Sequence, residues 1–218
     1  MSERKSTNGL LPIMLSVKGD TVVIVGGGKI ATRRILPLLE AEAHIIVVSP
    51  EATEDIQTWH GQKRLQWKAK SFEPTDIKNA KIIIAATNQP NVNLQVYEAA
   101  EKHQFINLAD RPDLSDFFVP AAFHRGKLVV AVSTSGASPG LARQIKQQLS
   151  EMYDEKYESY VEFLYQCRQI VKSTGLNQQT RNKILKELLE ARYRQMDERE
   201  RVEAFKQLLE KEGGREYE

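Results

Sequence analysis

One segment limits this chain more than any other: Thr21-Val22-Val23-Ile24-Val25-Gly26-Gly27-Gly28-Lys29-Ile30-Ala31. An unbroken run of β-branched residues reads as a strand buried on both faces, which is the signature of a parallel sheet rather than a half-solvated antiparallel one. Three glycines follow, and then a helical pattern through Arg33, Arg34, Ile35 and Leu36. Strand, glycine turn and helix in that order suit a phosphate-bearing ligand. Gly26 permits the tight turn, Gly28 leaves room for a pyrophosphate, and the helix start offers free N–H groups. Ala31 stands where the dinucleotide fingerprint takes Gly or Ala for close helix–strand packing. An ordinary strand–helix turn would carry the same glycines, so the context decides. One local conflict is Pro37, which is expected to kink or shorten the helix because it removes a backbone donor.

The alternation continues. Residues 44–48, 65–68, 81–86 and 105–108 read as strands, with helical stretches over 51–59 and 91–103. Such a series predicts an α/β, Rossmann-like parallel sheet with helices on both faces. The texture changes after about residue 115. Residues 117–119 and 127–132 read as strands, with a short helix or turn over 120–124. A turn-rich stretch, residues 133–140, follows; there Ser138 is placed to cap a helix that begins at Pro139. From residue 151 the pattern is helical and charged, with helices over 157–171, 180–193 and 198–211. The expected organisation is therefore a Rossmann domain over residues 1–115, a small α+β dimerisation segment over 116–150 and a helical domain over 151–218.

Composition removes other classes. The net charge of +2 gives no argument for nucleic acid or membrane partners. No apolar run reaches the roughly 18–20 residues that span a bilayer, and the N-terminus lacks the apolar core of a signal peptide. The single cysteine, Cys167, cannot form an internal disulfide, which suits a cytoplasmic setting; it reads as a helix-packing residue. The histidines, His44, His60, His103 and His124, show no metal-ligand spacing, so no resident metal is expected.

Candidate site residues gather at predicted strand ends. Gly26, Gly28, Lys29 and Ile30 are expected around the pyrophosphate. Ser49, Pro50 and Glu51 should meet the adenosine ribose. The fingerprint places an acidic residue about 20 positions beyond the glycines; Ser49 sits near that place and Glu51 is slightly late. No arginine stands there to hold a 2′-phosphate, which favours NAD over NADP. Thr87 and Asn88 end the strand before them, as cofactor contacts or as turn formers. Asp110 ends another buried strand beside Arg111. Asp-Arg-Pro is also a good turn, so on the residues alone a catalytic carboxylate and a turn former both remain open.

Several segments taken together resemble a known family: Leu11-Pro12-Ile13-Met14-Leu15, the glycine turn, Ala85-Ala86-Thr87-Asn88, Asn107-Leu108-Ala109-Asp110, and Val130 through Pro139 with Leu141-Ala142-Arg143. The chain is similar to precorrin-2 dehydrogenase, the dehydrogenase/ferrochelatase module of siroheme synthesis, over about residues 10–150. It resembles the free-standing forms without a methyltransferase portion. The resemblance implies a homodimer that oxidises precorrin-2 to sirohydrochlorin with NAD⁺ as hydride acceptor; some members also insert Fe²⁺. It implies that Asp110 is the aspartate used in dehydrogenation and chelation. Arg111, Ser133, Thr134, Ser135 and Arg143 become candidate contacts for the polycarboxylate substrate, and Thr134 matches a serine that some members phosphorylate. The competing reading is a non-enzymatic NAD-sensing module with a helical oligomerisation tail, which would not need Asp110. A short-chain reductase would need Tyr and Lys four residues apart; Tyr153 and Lys156 are three apart.

Overall fold

The computed structural model describes residues 10–214. It divides into two compact units, one closing at Val119 and the other opening at Pro120.

In the first unit, β1 (Thr21–Val25), β2 (His44–Val48), β3 (Gln66–Lys68), β4 (Ile82–Ala85) and β5 (Phe105–Leu108) form one sheet in the order β3-β2-β1-β4-β5. Every pairing is parallel. Helices α1 (Lys29–Glu40), α2 (Glu54–Gly61) and α3 (Pro90–Ala99) connect the strands. Side chains alternate between the two sheet faces, so the strands feed two aliphatic cores. Val22, Ile24, Ile45, Val47, Ile82 and Ile84 belong to one, and Val23, Val25, Val48, Ile83, Ile106 and Leu108 to the other. This double burial is why β1, β2 and β4 carry near-continuous Val and Ile. The chain builds outward from β1 through β2 to β3, then returns to place β4 on the other side of β1. The crevice between β1 and β4 is therefore the switch point at which open α/β sheets bind ligands.

Three local expectations are corrected. The second helix starts at Glu54, not at Glu51, because residues 49–53 fold back on the glycine turn and the Thr53 N–H donates to Gly27 O at 2.9 Å. The third ends at Ala99 rather than continuing to His103. Residues 117–119 are not a strand. The segment beside β5 bonds to it largely through side chains: Leu108 N–H donates to Ser115 Oγ, Ile106 N–H to Asp116 Oδ2, and Asn107 Nδ2 to Phe117 O. A ladder needs main-chain pairs, and here Asp116 N–H to Ile106 O is the one main-chain bond described. Pro37 lies in the last turn of α1, which closes at Glu40, and its carbonyl accepts the Ala41 N–H.

The second unit begins with an antiparallel hairpin, β6 (Ala121–Arg125) and β7 (Leu128–Val132). The helix or turn expected over residues 120–124 is thus a strand. Gly126, at φ +54°, takes the first position of the two-residue connection, where such tight turns favour glycine. Helix α4 (Pro139–Met152) follows, and the Ser138 hydroxyl caps it by accepting the Leu141 N–H at 3.2 Å. Helices α5 (Lys156–Ser173), α6 (Gln178–Glu187), α7 (Ala191–Gln195) and α8 (Glu198–Gly214) pack around Tyr160, Phe163, Cys167, Ile184, Leu188, Tyr193 and Phe205. The single helix expected over 180–193 is broken at Leu188–Glu190. The Tyr160 hydroxyl donates to Leu188 O at 2.8 Å at that break, and Arg201, itself buried, donates to Tyr193 O at 2.7 Å beyond it.

Candidate cofactor and active site

The carboxyl ends of β1, β2, β4 and β5 carry the expected site residues of the first unit. Gly26 sits at φ +119°, and a Cβ there would lie 2.5 Å from Ala86 O, so the turn after β1 and the end of β4 approach too closely for any side chain. Gly27 is tighter still: a Cβ would lie 2.1 Å from Glu51 O. Gly28 differs. It is the N-cap of α1, no side chain caps it, and a Cβ there would meet nothing within 4 Å. Open space at the mouth of a helix whose first turn holds no acidic side chain is a fitting seat for an anion. Gly26 packs against the end of β4 and Gly27 against residues 51–52, whereas Gly28, Lys29 and Ile30 are exposed at the mouth of α1.

The turn is clamped from the β2 side. The Thr32 hydroxyl lies 2.8 Å from the Thr53 hydroxyl and bonds to Gly28 O at 3.2 Å. Ser49 is anchored by its main chain, with Ser49 N–H donating to Lys68 O and Ser49 O accepting from Trp67 Nε1. Glu51 is exposed, and its main-chain carbonyl is the atom that excludes a side chain at Gly27. Pro50 lies between them at the same exposed strand end.

On the other side of the switch point, β4 leads into Thr87 and Asn88, and β5 into Ala109, Asp110 and Arg111. Asn93, on the buried face of α3 at 1% exposure, joins the two strand ends. Its Oδ1 accepts the Thr87 main-chain N–H at 3.1 Å and lies 2.8 Å from the Thr87 hydroxyl; its Nδ2 donates to Asp110 Oδ1 at 2.9 Å. Asp110 itself is exposed. Arg111 is doubly bonded to Asp113, Nε at 2.9 Å and the terminal nitrogen at 2.7 Å, and this pairing holds the Arg111 guanidinium more firmly protonated than usual.

The remaining candidates belong to the second unit, in the β7–α4 turn and on α4. Ser133 Oγ accepts the Ser135 N–H, and Thr134 Oγ1 accepts the Ser138 N–H, so both hydroxyls shape the turn. Ser135 adopts φ +51°. Arg143 Nε donates to Pro139 O in its own helix. Cys167 is buried, which pushes its thiol up to about 12, so it is no nucleophile at neutral pH.

Gly27 and Asn93 are the residues that reading the sequence missed. Gly27 was one of three identical letters. Asn93 carried a weak signal: with Val96 and Ala100 it occupies an i, i+3, i+7 stripe, a polar residue at an apolar position of an amphipathic helix.

A parallel sheet in this order, with a glycine turn at its switch point and an uncapped helix mouth beyond, defines a dinucleotide-binding protein of the doubly wound class. Known proteins narrow the class. Residues 13–121 match a family model described as putative NAD(P)-binding, residues 125–152 one described as sirohaem biosynthesis protein central, and residues 157–204 the SirC C-terminal domain. Precorrin-2 dehydrogenase of Priestia megaterium is 38% identical over 182 residues, spanning 84% of this chain and 90% of its own. That of Bacillus subtilis (strain 168) is 34% identical over 159 residues, spanning 73% and 98%. A solved structure of SirC, precorrin-2 dehydrogenase, matches with a TM-score of 0.80 and 37% identity, over 93% of this chain and all (100%) of its own. The chain belongs to the precorrin-2 dehydrogenase family.

Proposed function

We propose that this protein oxidises precorrin-2 to sirohydrochlorin with NAD⁺ as the hydride acceptor, in the synthesis of siroheme. The observation that carries the reading is the shared sheet edge. The glycine turn, Thr87 and Asp110 end neighbouring strands, so a cofactor at the switch point and a carboxylate beside it serve one reaction centre. The family relatives, matched over nearly their whole length, supply the substrate class.

Each residue then has a task. The N–H groups of Lys29 and Ile30, at the mouth of α1, hold the pyrophosphate beside Gly26 and Gly28. Ser49, Pro50 and Glu51 receive the adenosine ribose; residues 49–53 contain Glu51 and no arginine, which favours a ribose hydroxyl over a 2′-phosphate. Thr87 and Asn88 line the cofactor edge. NAD⁺ supplies the hydride acceptor. Asp110 takes a proton from the reduced macrocycle or holds one of its pyrrole N–H groups while the hydride leaves. Arg111 in the first unit and, taken by themselves, Ser133, Thr134, Ser135 and Arg143 in the second are the candidate contacts for substrate carboxylates. The turn over residues 133–138 leads into the N-terminal end of α4, whose helix dipole favours anions. In this reading residues 1–115 form the cofactor domain, 116–150 the dimerisation segment and 151–218 a helical domain. The β6–β7 hairpin leaves an unpaired edge on each strand for a second copy. No helix among the described residues is long and apolar enough to cross a membrane, and a cytoplasmic homodimer follows from the same reading.

Anaerobic incubation with precorrin-2 and NAD⁺ tests this directly. Absorbance of reduced nicotinamide should rise in step with sirohydrochlorin. NAD⁺ binding without any such rise would favour the sensor reading. Adding Fe²⁺ to sirohydrochlorin in a second cuvette reads chelation separately, and light scattering of the eluted protein reads the dimer.

A further inference from the structure

We infer that Asn93 is a positioning residue: it fixes the direction of the Asp110 carboxylate and ties it to the cofactor-edge turn at Thr87. This rests on the dehydrogenase reading given above.

The geometry leaves the amide one orientation. A main-chain N–H can only donate, so the Asn93 atom facing Thr87 N at 3.1 Å must be the carbonyl oxygen. The NH₂ group must then point the other way, to Asp110 Oδ1 at 2.9 Å. Asn93 is buried at 1% exposure, whereas Asp110 is exposed. The donor is thus fixed and the acceptor free to swing without it. The Thr87 hydroxyl lies 2.8 Å from the same Asn93 oxygen and accepts the Gln89 N–H at 3.1 Å, so the turn after β4 is built on this amide too. The β4 and β5 ends, one serving the cofactor and the other carrying the acid, share one side chain. Arg111 interacts electrostatically with Asp110 and is itself paired with Asp113. The pairing of Arg111 with Asp113 satisfies both and leaves Asn93 as the neutral donor to the acid.

Nuclear magnetic resonance of the full chain, without substrate or cofactor, reads the tether. The Asn93 side-chain amide protons should shift with the titration midpoint of Asp110 and cease to do so in Asp110→Asn. Amide protons that ignore Asp110 would overturn the inference and leave the dehydrogenase reading standing. Kinetics reads the consequence. Asn93→Asp keeps the acceptor for Thr87 but sets two carboxylates face to face, so the acidic limb of the kcat profile should move up by about one pH unit or more. NAD⁺ affinity should stay within about threefold, while kcat at pH 7 falls about tenfold. Asn93→Ser, smaller and neutral, should lose a similar factor in kcat, with the limb moved up by less than in Asn93→Asp. Parental kcat and pH profile in either folded variant would overturn the inference. If the unmodified protein fails to reduce NAD⁺ with precorrin-2 although the amide tracks Asp110, the dehydrogenase reading falls, and the positioning role with it.

Discussion

The two sides of the sheet edge are built in different ways. On the β1–β2 side the site is made of main chain and of missing side chains: a glycine turn pressed onto Ala86 and Glu51 carbonyls, with an uncapped helix mouth beside it. On the β4–β5 side it is made of side chains, Thr87, Asn93 and Asp110 in one hydrogen-bonded chain. Main-chain donors and a helix dipole do not titrate, so an anion held on the first side, as proposed, would be held equally at any moderate pH. The second side contains a carboxylate and can take or hold a proton. On the proposed function the difference separates binding from chemistry along one edge, and substitutions on the two sides should therefore fail in different observables.

The largest effect is expected on the side-chain side. Asp110→Asn should lower kcat by about 10²–10⁴-fold, the usual scale for loss of a general acid or base. NAD⁺ affinity and melting temperature should hold, because Asp110 is exposed and the Gly26–Gly28 turn does not touch it. A loss of NAD⁺ affinity of the same size would break the separation. Next in size is Gly27→Ala. The added Cβ would have to displace the Glu51 carbonyl and with it the Thr53 N–H bond to Gly27. Overpacking of this kind costs about 1–3 kcal/mol. Both the thermal midpoint and NAD⁺ binding should drop, as calorimetry and cofactor titration would show.

How much of this could be read from the letters follows the same division. The backbone side was legible because a buried parallel strand and three glycines impose a local pattern: β1, β2 and β4 stand where their Val and Ile runs placed them. Gly26 and Gly28 could be singled out by their spacing. That Gly27 faces Glu51 depends on a contact across 24 residues of chain, which no local pattern carries. Residues 117–119 were misjudged because an aromatic, β-branched run looks like a strand, while Ser115 and Asp116 side chains intercept the N–H groups that would have received it. Residues 120–124 were misjudged for the opposite reason: Pro120 suggested a turn, but Gly126 closes a hairpin and draws Ala121–Arg125 into it. Asn93 could not be assigned a partner, since its two partners come from different strand ends.

Gly28→Ala sharpens the comparison from within the backbone side. Its neighbours in the turn are packed against carbonyls, whereas a methyl at Gly28 meets only open space. The fold should accept it, with a thermal midpoint unchanged or slightly raised, because alanine restricts the unfolded chain more than glycine does. The same methyl would stand in the space a pyrophosphate needs, so NAD⁺ affinity should fall about tenfold, equivalent to about 1.4 kcal/mol.

The smallest effect should come from Thr87→Val. Valine keeps the shape and the main-chain N–H bond to Asn93, and removes the hydroxyl that lies 2.8 Å from Asn93 Oδ1 and accepts the Gln89 N–H. A neutral hydrogen bond contributes about 0.5–1.5 kcal/mol net, so the loss should be about 2–10-fold. It should be divided between cofactor KM and kcat, since the turn after β4 sits at the cofactor edge and leads through Asn93 to the acid. A change confined to KM would mean that Thr87 serves the cofactor alone and that the link to Asp110 is slack. A change confined to kcat would place Thr87 wholly with the acid, and the boundary between the two sides of the edge would then lie between Gly26 and Ala86, at the crevice of the sheet itself.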